Sequence, residues 1–546
     1  MKFDQKKNIQ LYMLAVLTVL LVIVLGYFLF FAQKSSYLSV PVIKESPTHL
    51  VKEIPTDFSL TFNDVPVPQD QETGLYYISQ NMNTDTWQGA LSTTSTDYYL
   101  YFEVDDMLND KAGAIECGHV FTLYAEKDAC YYPLSLTVSG LPIISMTSSY
   151  EETPEYDEND VDNYYYNSET RVYGDIAILN ANPASGKTET FSDKLCYHER
   201  GATSAIFPKK NYALKILEEN GSKHSASLFD LPESAEWKLI SMFTDRSKLR
   251  DMVSLKLWKE MADQEAAFSE QGADMSYCEV LLDGEYLGLY GVLYPIDEDT
   301  QKLGEEDVLY KVLSDAPPSD SAFQYTLDNC YAVSYPVRLR YPKGYQQTEE
   351  ILPYWEPMKN YLTYGYWQPD ANLFSQLLDL RNVADFYIYL QTTSASDNQF
   401  KNTYMLSRYL EERNGYTTYI IPWDMNYSFG DQYIYDSSVL YTAFNDDPTV
   451  IYMESGLKQL FDENIAGAND ILVSRYSAYR ESILSTEHIQ NMFLEYSDLL
   501  VRSGALARDS RKWPDSRNST DLGDILKYIE MRMDFLDNFF LTKETN

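Results

Sequence analysis

The sequence predicts an α+β protein, and three observations predict it. Short runs rich in β-branched and aromatic residues recur early, at Tyr98–Val104, Val120–Tyr124 and Tyr132–Val138, separated by polar turns such as Glu126–Asp128. Cys278–Tyr290 reads as strand, Asp283-Gly284 turn, strand, a tight hairpin. Helical stretches follow, clearest at Leu457–Phe461, Ile489–Leu500 and Ile525–Leu541. The expected architecture is a β-rich lobe and a helical lobe, preceded by a small β-sandwich-like module.

The chain opens on an apolar run. No charged residue occurs from Asn8 to Gln33, and Leu11 to Phe31 is almost wholly apolar. As a helix it would span roughly 30 Å, the thickness of a hydrocarbon core. Lys2, Lys6 and Lys7 precede it, which places the N-terminus in the cytoplasm. The run is long and ends in bulky residues, Tyr27 to Phe31, unlike a cleavable leader. The expectation is a signal anchor over residues 9–33, with residues 1–8 cytoplasmic and the rest extracytoplasmic on a single span. Residues 34–55, with Pro41, Pro47 and Pro55, read as a stalk. Residues 56–140 read as the β-rich module and residues 141–546 as the main domain.

Charge and cysteines narrow the function. Acids number 82 against 43 bases, a formal net charge of -39. This excludes phosphate-directed nucleic-acid binding, which needs clustered Lys and Arg, and favours cationic partners. With 45% hydrophobic residues there is ample core, so the acidity does not signal wholesale disorder. Between Glu151 and Glu169 lie eight acids and no base. They fit no calcium-loop frame and read as a solvated loop or an acidic docking surface. The five cysteines, Cys117, Cys130, Cys196, Cys278 and Cys330, cannot all pair. A Cys117–Cys130 bridge is not expected, because the hairpin turn sets Cys130 opposite a residue near Tyr124. No Cys or His cluster has zinc spacing.

The stretch from Ser394 to Gly430 carries the chemistry. Asp397 and Asn402 are separated by four residues, and Ile421-Pro-Trp-Asp424-Met-Asn426 follows. Between them Thr403–Leu406 and Tyr416–Ile421 read as strands, joined by the polar loop Glu411–Gly415. A hairpin would bring both acidic segments to the same end of a sheet. Asp-x-x-x-x-Asn, a strand and a later Asp is the logic of a kinase catalytic loop: one Asp orients the hydroxyl, and the Asn and later Asp hold metal. Turn and cap residues produce the same spacing. Ala395 and Ser396 stand where ordinary protein kinases have His-Arg, and Met425 and Asn426 follow the later Asp instead of Phe-Gly.

The whole stretch, through Ser428-Phe429-Gly430, resembles the spore-coat protein H (CotH) kinase family, which has an atypical, secreted-type kinase fold. Further segments carry the resemblance. Arg200-Gly-Ala-Thr-Ser through Phe207-Pro-Lys-Lys-Asn-Tyr212 is similar to a family motif, with Ala202 in place of the usual Asn. Cys278–Tyr290 is similar to the family's Asn-Gly-Glu-Tyr-Leu-Gly-Leu-Tyr hairpin, with Asp283 for Asn, and Tyr294 or Pro295 stands where a Glu is common. Asp379–Tyr387 looks like the helix leading into the catalytic segment, and Trp513 with Met531-Arg532 like the closing segment.

The resemblance implies a two-lobe kinase-like domain and an enzyme that transfers the γ-phosphoryl of ATP, with Mg or Mn, to Ser or Thr of a secreted or surface protein. Asp397 would orient the hydroxyl or accept its proton. Asn402 and Asp424 would hold metal, with Asn426 a neutral second ligand where the family usually has Asp. Lys215, on the strand-like Tyr212–Leu217, would reach nucleotide phosphates, with Lys209 and Lys210 as rivals and Arg200 alongside; a solvent-facing strand lysine is the plainer reading of Lys215. A helix read from about Arg246 to Ala267, capped by Thr244 or Asp245, could pair a Glu with that lysine, with Glu260 the candidate; a core-packing helix with a solvated charged face is the plainer reading. The strongly acidic chain would prefer a basic protein substrate. The alternative is a non-catalytic pseudokinase scaffold or surface adhesion protein, favoured by Asn426, Tyr294 and Ala202.

Overall fold

The structure, a computed structural model, describes residues 36–153, 170–201, 203–269, 271–313, 337–343, 353–433, 442–452 and 455–542. The expected anchor at residues 9–33, most of the acidic loop, Ala202 and Cys330 lie outside the described residues.

The first unit is a seven-stranded sheet with a three-stranded sheet beside it. The predicted strands are present as Tyr99–Glu103, Val120–Lys127 and Cys130–Ser139. Alternation in Val120–Lys127 sends Phe121, Leu123 and Ala125 into a core with Phe62, Ile78, Phe102 and Leu136. Two neighbour pairs are parallel, Val40–Ile43 with Tyr99–Glu103 and Cys130–Ser139 with Leu75–Ser79. The unit is therefore a mixed sheet rather than an all-antiparallel sandwich. It also holds the helix Lys111–Cys117, started by Asp110 accepting the Gly113 N–H and ended by left-handed Gly118.

The segment expected to be a stalk belongs to this sheet. Val40–Ile43 is one of its strands, and Leu38 and Val40 are buried. Farther on, the Tyr131 N–H donates to the His49 carbonyl and the Val51 N–H to the Tyr131 carbonyl. Its apolar residues find sheet to cover, which composition could not show. Cys130 faces Lys127 across the turn, Pro133 faces Tyr124, and Cys117, Cys130, Cys196 and Cys278 are free thiols.

The second unit is a closed barrel of seven strands, Ile143–Glu152, Arg171–Leu179, Thr190–Arg200, Asn211–Leu217, Glu236–Ile240, Glu285–Leu293 and Met275–Leu282. It closes through a parallel pairing of Ile143–Met146 with Glu279–Leu282. Tyr197, Tyr212, Leu214, Ile216, Trp237 and Leu239 point into the main core. Asp283 and Gly284 are both left-handed, as a two-residue hairpin turn requires. Module and barrel share a seam: Tyr77 stacks on Tyr286, and the Gln71 N–H donates to the Gly284 carbonyl.

A four-stranded sheet follows, in the order Val337–Tyr341, Val308–Val312, Thr403–Leu410, Gly415–Pro422. The helix Leu380–Thr393 packs on its last strand. Asp379 caps that helix by accepting the Arg381 and Asn382 N–H groups, and left-handed Ser394 ends it just before Asp397. The helix expected from Arg246 runs from Arg250 to Ala262. Asp245 spends its carboxylate on the preceding turn, where Lys248 is left-handed, so helical geometry begins later. Helices Glu356–Leu362, Ala371–Gln376, Ser455–Asp462, Ala468–Arg480, Thr486–Arg502, Ala505–Lys512 and Gly523–Leu541 make up the rest of the helical part among the described residues.

Candidate functional site

The predicted hairpin is the floor of the site. Thr403 faces Pro422 in register. Beyond that pair, the Trp423 N–H donates to the Asn402 carbonyl at 2.9 Å, and the Asn402 N–H donates to the Val312 carbonyl at 3.1 Å. Buried Asn398 ties the two segments together, its amide nitrogen donating to the Trp423 carbonyl at 2.7 Å and the Asn402 carbonyl at 3.1 Å. Asn402 and Asp424 both adopt left-handed backbone, with φ of 55° and 60°, a region that Asn and Asp enter more readily than most residues.

Asp397, Asn402, Asp424 and Asn426 are thereby brought to one end of the sheet. The Asn402 amide nitrogen donates to Asp397 Oδ2 at 2.9 Å, and Lys401 Nζ lies 2.7 Å from Asp397 Oδ1. Asp424 is exposed. Tyr427, hydrogen-bonded to Asn426, has its phenol pushed up by burial and by the nearby charges of Asp424 and Asp397.

Cations face this floor. Lys311, on Val308–Val312, is paired in register with Tyr404 and lies 5.5 Å from the Tyr404 ring centroid and 5.8 Å from that of Trp423. Burial, with Arg200 and Arg340 nearby, pushes the Lys311 ammonium down to about 7, while Asp424 draws it upward. Lys238, on the barrel strand Glu236–Ile240, is pushed down to about 8 by burial and by Arg200. Arg200 therefore acts on both lysines, where the sequence placed it near the phosphates.

The other predicted cations divide. Lys215 sits half-exposed 3.6 Å from Glu236 of the adjacent strand. Burial works to raise the Glu236 carboxyl, but Lys238, Lys215 and Lys223 hold it down at about 2. The acidic partner of Lys215 is thus on a strand. Glu260, the helix candidate, is turned to His488 at 2.7 Å instead. Lys210 donates to the Ala205 carbonyl at 2.7 Å. Lys209 is not a phosphate contact: it is fully buried, 2.7 Å from Asp509 Oδ1 and hydrogen-bonded to the Leu289 carbonyl. Asn211–Leu217 enters the barrel wall directly after it, so the preceding turn directs Lys209 to the interior.

Lys238, Lys311, Arg340 and Asp251 escaped the sequence reading. A lysine inside the apolar strand Val308–Val312 was the available signal for Lys311. Nothing local marks Asp251. It lies in the first turn of Arg250–Ala262, accepts the Met425 N–H at 2.9 Å, and its carboxyl is pushed well up by burial and by Asp424.

The barrel cations Arg200 and Lys238 act on Lys311, which pairs with the hairpin strand next to the segments that present two acids and an amide, and the family comparison makes this a kinase-like protein. The chain belongs to the CotH kinase protein family, whose model matches residues 198–536. No curated protein matches the chain. The match begins within Thr190–Arg200, so the strands that close the barrel, Ile143–Glu152 and Arg171–Leu179, precede it.

The family's kinase chemistry calls for ATP and a divalent ion. The donors here are hard oxygens. Asp424 offers an exposed carboxylate, and Asn402 keeps its amide oxygen as an acceptor while its nitrogen is spent on Asp397. No group of three or more His, Cys, Asp or Glu able to hold a metal occurs among the described residues. Mg²⁺ commonly takes only one or two carboxylates and completes its shell with water and phosphate oxygens, so this donor set fits.

Proposed function

We propose that this chain is an extracytoplasmic protein kinase, anchored by its N-terminal apolar run, that transfers the γ-phosphoryl of ATP to Ser or Thr of a basic surface or secreted protein. The observation that carries the reading is the grouping of Asp397, Asn402 and Asp424 at one end of the hairpin, with Lys311 on the neighbouring strand, its ammonium pushed down by burial, Arg200 and Arg340 and drawn upward by Asp424. Arg200, Lys238 and Lys311 bind and orient the phosphates. Asp397, oriented by Asn402 and Lys401, receives the hydroxyl and holds its proton. Asp424 and Asn402 would hold Mg²⁺ or Mn²⁺, which when bound neutralises phosphate charge. Treatment of intact cells with protease reads the topology: an ectodomain that stays protected argues against it.

The test is phosphorylation of Ser peptides by the purified protein with ATP and Mn²⁺. The net charge of -39 concentrates cations near the surface, so a Lys-rich peptide is the better substrate. Its advantage shrinks as salt shortens the field. Equal, salt-independent use of acidic and basic peptides refutes the substrate preference. Protein that binds no nucleotide with either metal refutes the kinase.

Lys311 sets a pH dependence. Its ammonium is held down to about 7, and phosphate charge favours the protonated form. Above about pH 7 nucleotide binding must therefore take up a proton, and affinity falls with rising pH by at most about tenfold per unit. Lys311→Arg stays charged and flattens the slope between pH 7 and 9. Calorimetric titration in buffers of different ionisation enthalpy reads the proton directly; no uptake in the wild type refutes the assignment.

A further inference from the structure

We propose that Arg250 and Asp251 are positioning residues that hold the loop from Asp424 to Gly430 in the conformation that presents Asp424. For transfer this rests on the kinase reading; for loop geometry it stands alone. The loop contains left-handed Asp424, Phe429 and Gly430, with φ of 60°, 47° and 86°. Non-glycine residues persist there only when their surroundings impose it. Two of the loop's backbone groups are held by side chains from the first turn of Arg250–Ala262. Asp251 Oδ1 accepts the Met425 N–H at 2.9 Å, one residue past Asp424, and Arg250 Nε donates to the Ser428 carbonyl at 2.9 Å. The hydroxyls of Ser254 and Ser428 meet at 3.1 Å.

The clamp is itself fixed. Arg250 Nη1 donates to Asp245 Oδ1 at 2.7 Å, and Asp245 also accepts the Ser247, Leu249 and Arg250 N–H groups. Asp245, Arg250 and Asp251 are 2%, 5% and 7% exposed, so solvent does not compete for these bonds. The helix also packs on Leu380–Thr393, which leads to the Asp397 segment. Arg250–Ala262 therefore ties the Asp424 loop to the helix that leads into the Asp397 segment.

The test compares Asp251→Asn, which keeps an oxygen for the Met425 N–H, with Asp251→Ala, which does not. In Asp251→Ala the Met425 amide exchanges with solvent roughly 10- to 100-fold faster. The Mn²⁺ needed for half-saturation with a non-hydrolysable ATP analogue rises, and kcat falls more than KM changes. Asp251→Asn restores all three readouts. Equal failure of Asn and Ala overturns the proposal, because the charge itself would then be required. Unchanged Met425 exchange in Asp251→Ala also overturns it. If Ala does not fold, Arg250→Lys, which loses the Nε–H donor to Ser428, substitutes for it; unchanged exchange in the loop overturns the proposal. Met425 exchange is read without nucleotide, so failure of the kinase reading leaves it interpretable.

Discussion

Asp397→Asn lowers phosphoryl transfer by roughly 10²–10⁴-fold, the worth of a positioned proton acceptor, while metal-dependent nucleotide binding survives. The substitution keeps the size of the side chain and an oxygen that can accept the Asn402 amide bond. It removes the charge that pairs with Lys401 and that would take the hydroxyl proton. Asp424→Asn fails differently. Its exposed carboxylate makes no hydrogen bond or ion pair with the described residues, so the fold is kept. Nucleotide affinity then drops and demands more metal. The measurement is analogue affinity across a metal titration, beside single-turnover peptide phosphorylation for both variants. Normal transfer in Asp397→Asn refutes its role. Loss of binding in Asp397→Asn with full binding in Asp424→Asn reverses the assignment.

Lys209→Met unfolds the protein at lower denaturant and does not selectively weaken nucleotide binding. Lys209 and Asp509 are both fully buried and 2.7 Å apart. Removing one partner of such a pair strands the other charge and costs about 3–5 kcal/mol. Asp509 Oδ1 also accepts the Leu289 N–H at 3.0 Å, and Asp509 Oδ2 accepts from Asn518 at 2.8 Å. Gly288 makes the approach possible: it is left-handed at φ 95°, and a Cβ there would lie 2.4 Å from Asp509 Oδ1. Chemical denaturation reads the stability, and nucleotide titration of the folded protein reads the site. Unchanged stability with lost affinity would return Lys209 to the phosphates. Lys209→Met with Asp509→Leu recovers part of the loss, because both charges leave together.

The pair also explains why the hairpin motif reads as it does. Glu285-Tyr-Leu-Gly-Leu-Tyr290 is the second strand of the Met275–Leu293 hairpin. It receives the closing segment: Asp509 at Gly288, Arg508 Nη2 on Glu279 Oε2 at 2.6 Å, and the Trp513 indole N–H on the Leu287 carbonyl at 2.8 Å. Glu279 and Arg508 are both buried, so this is a second desolvated ion pair across the same seam.

What the sequence by itself determined is local. The hairpins Thr403–Pro422 and Met275–Leu293, the C-terminal helices and the grouping of Asp397, Asn402 and Asp424 follow from side-chain period, turn residues and short loops. Each is decided by residues near one another in the chain. Tertiary structure decided which cations face those acids. Lys209 precedes a strand and Lys311 lies inside one, but neither position states what the side chain meets. Barrel closure sends the first to Asp509, while pairing of Val308–Val312 with Thr403–Leu410 sets the second beside Tyr404. Asp251 reaches Met425, and residues 36–43 enter a sheet, through contacts distant in sequence. Period states which side of an element is buried. Only the packed strand order states what that side meets, because burial and charge pairing are settled by neighbours that the chain supplies from elsewhere.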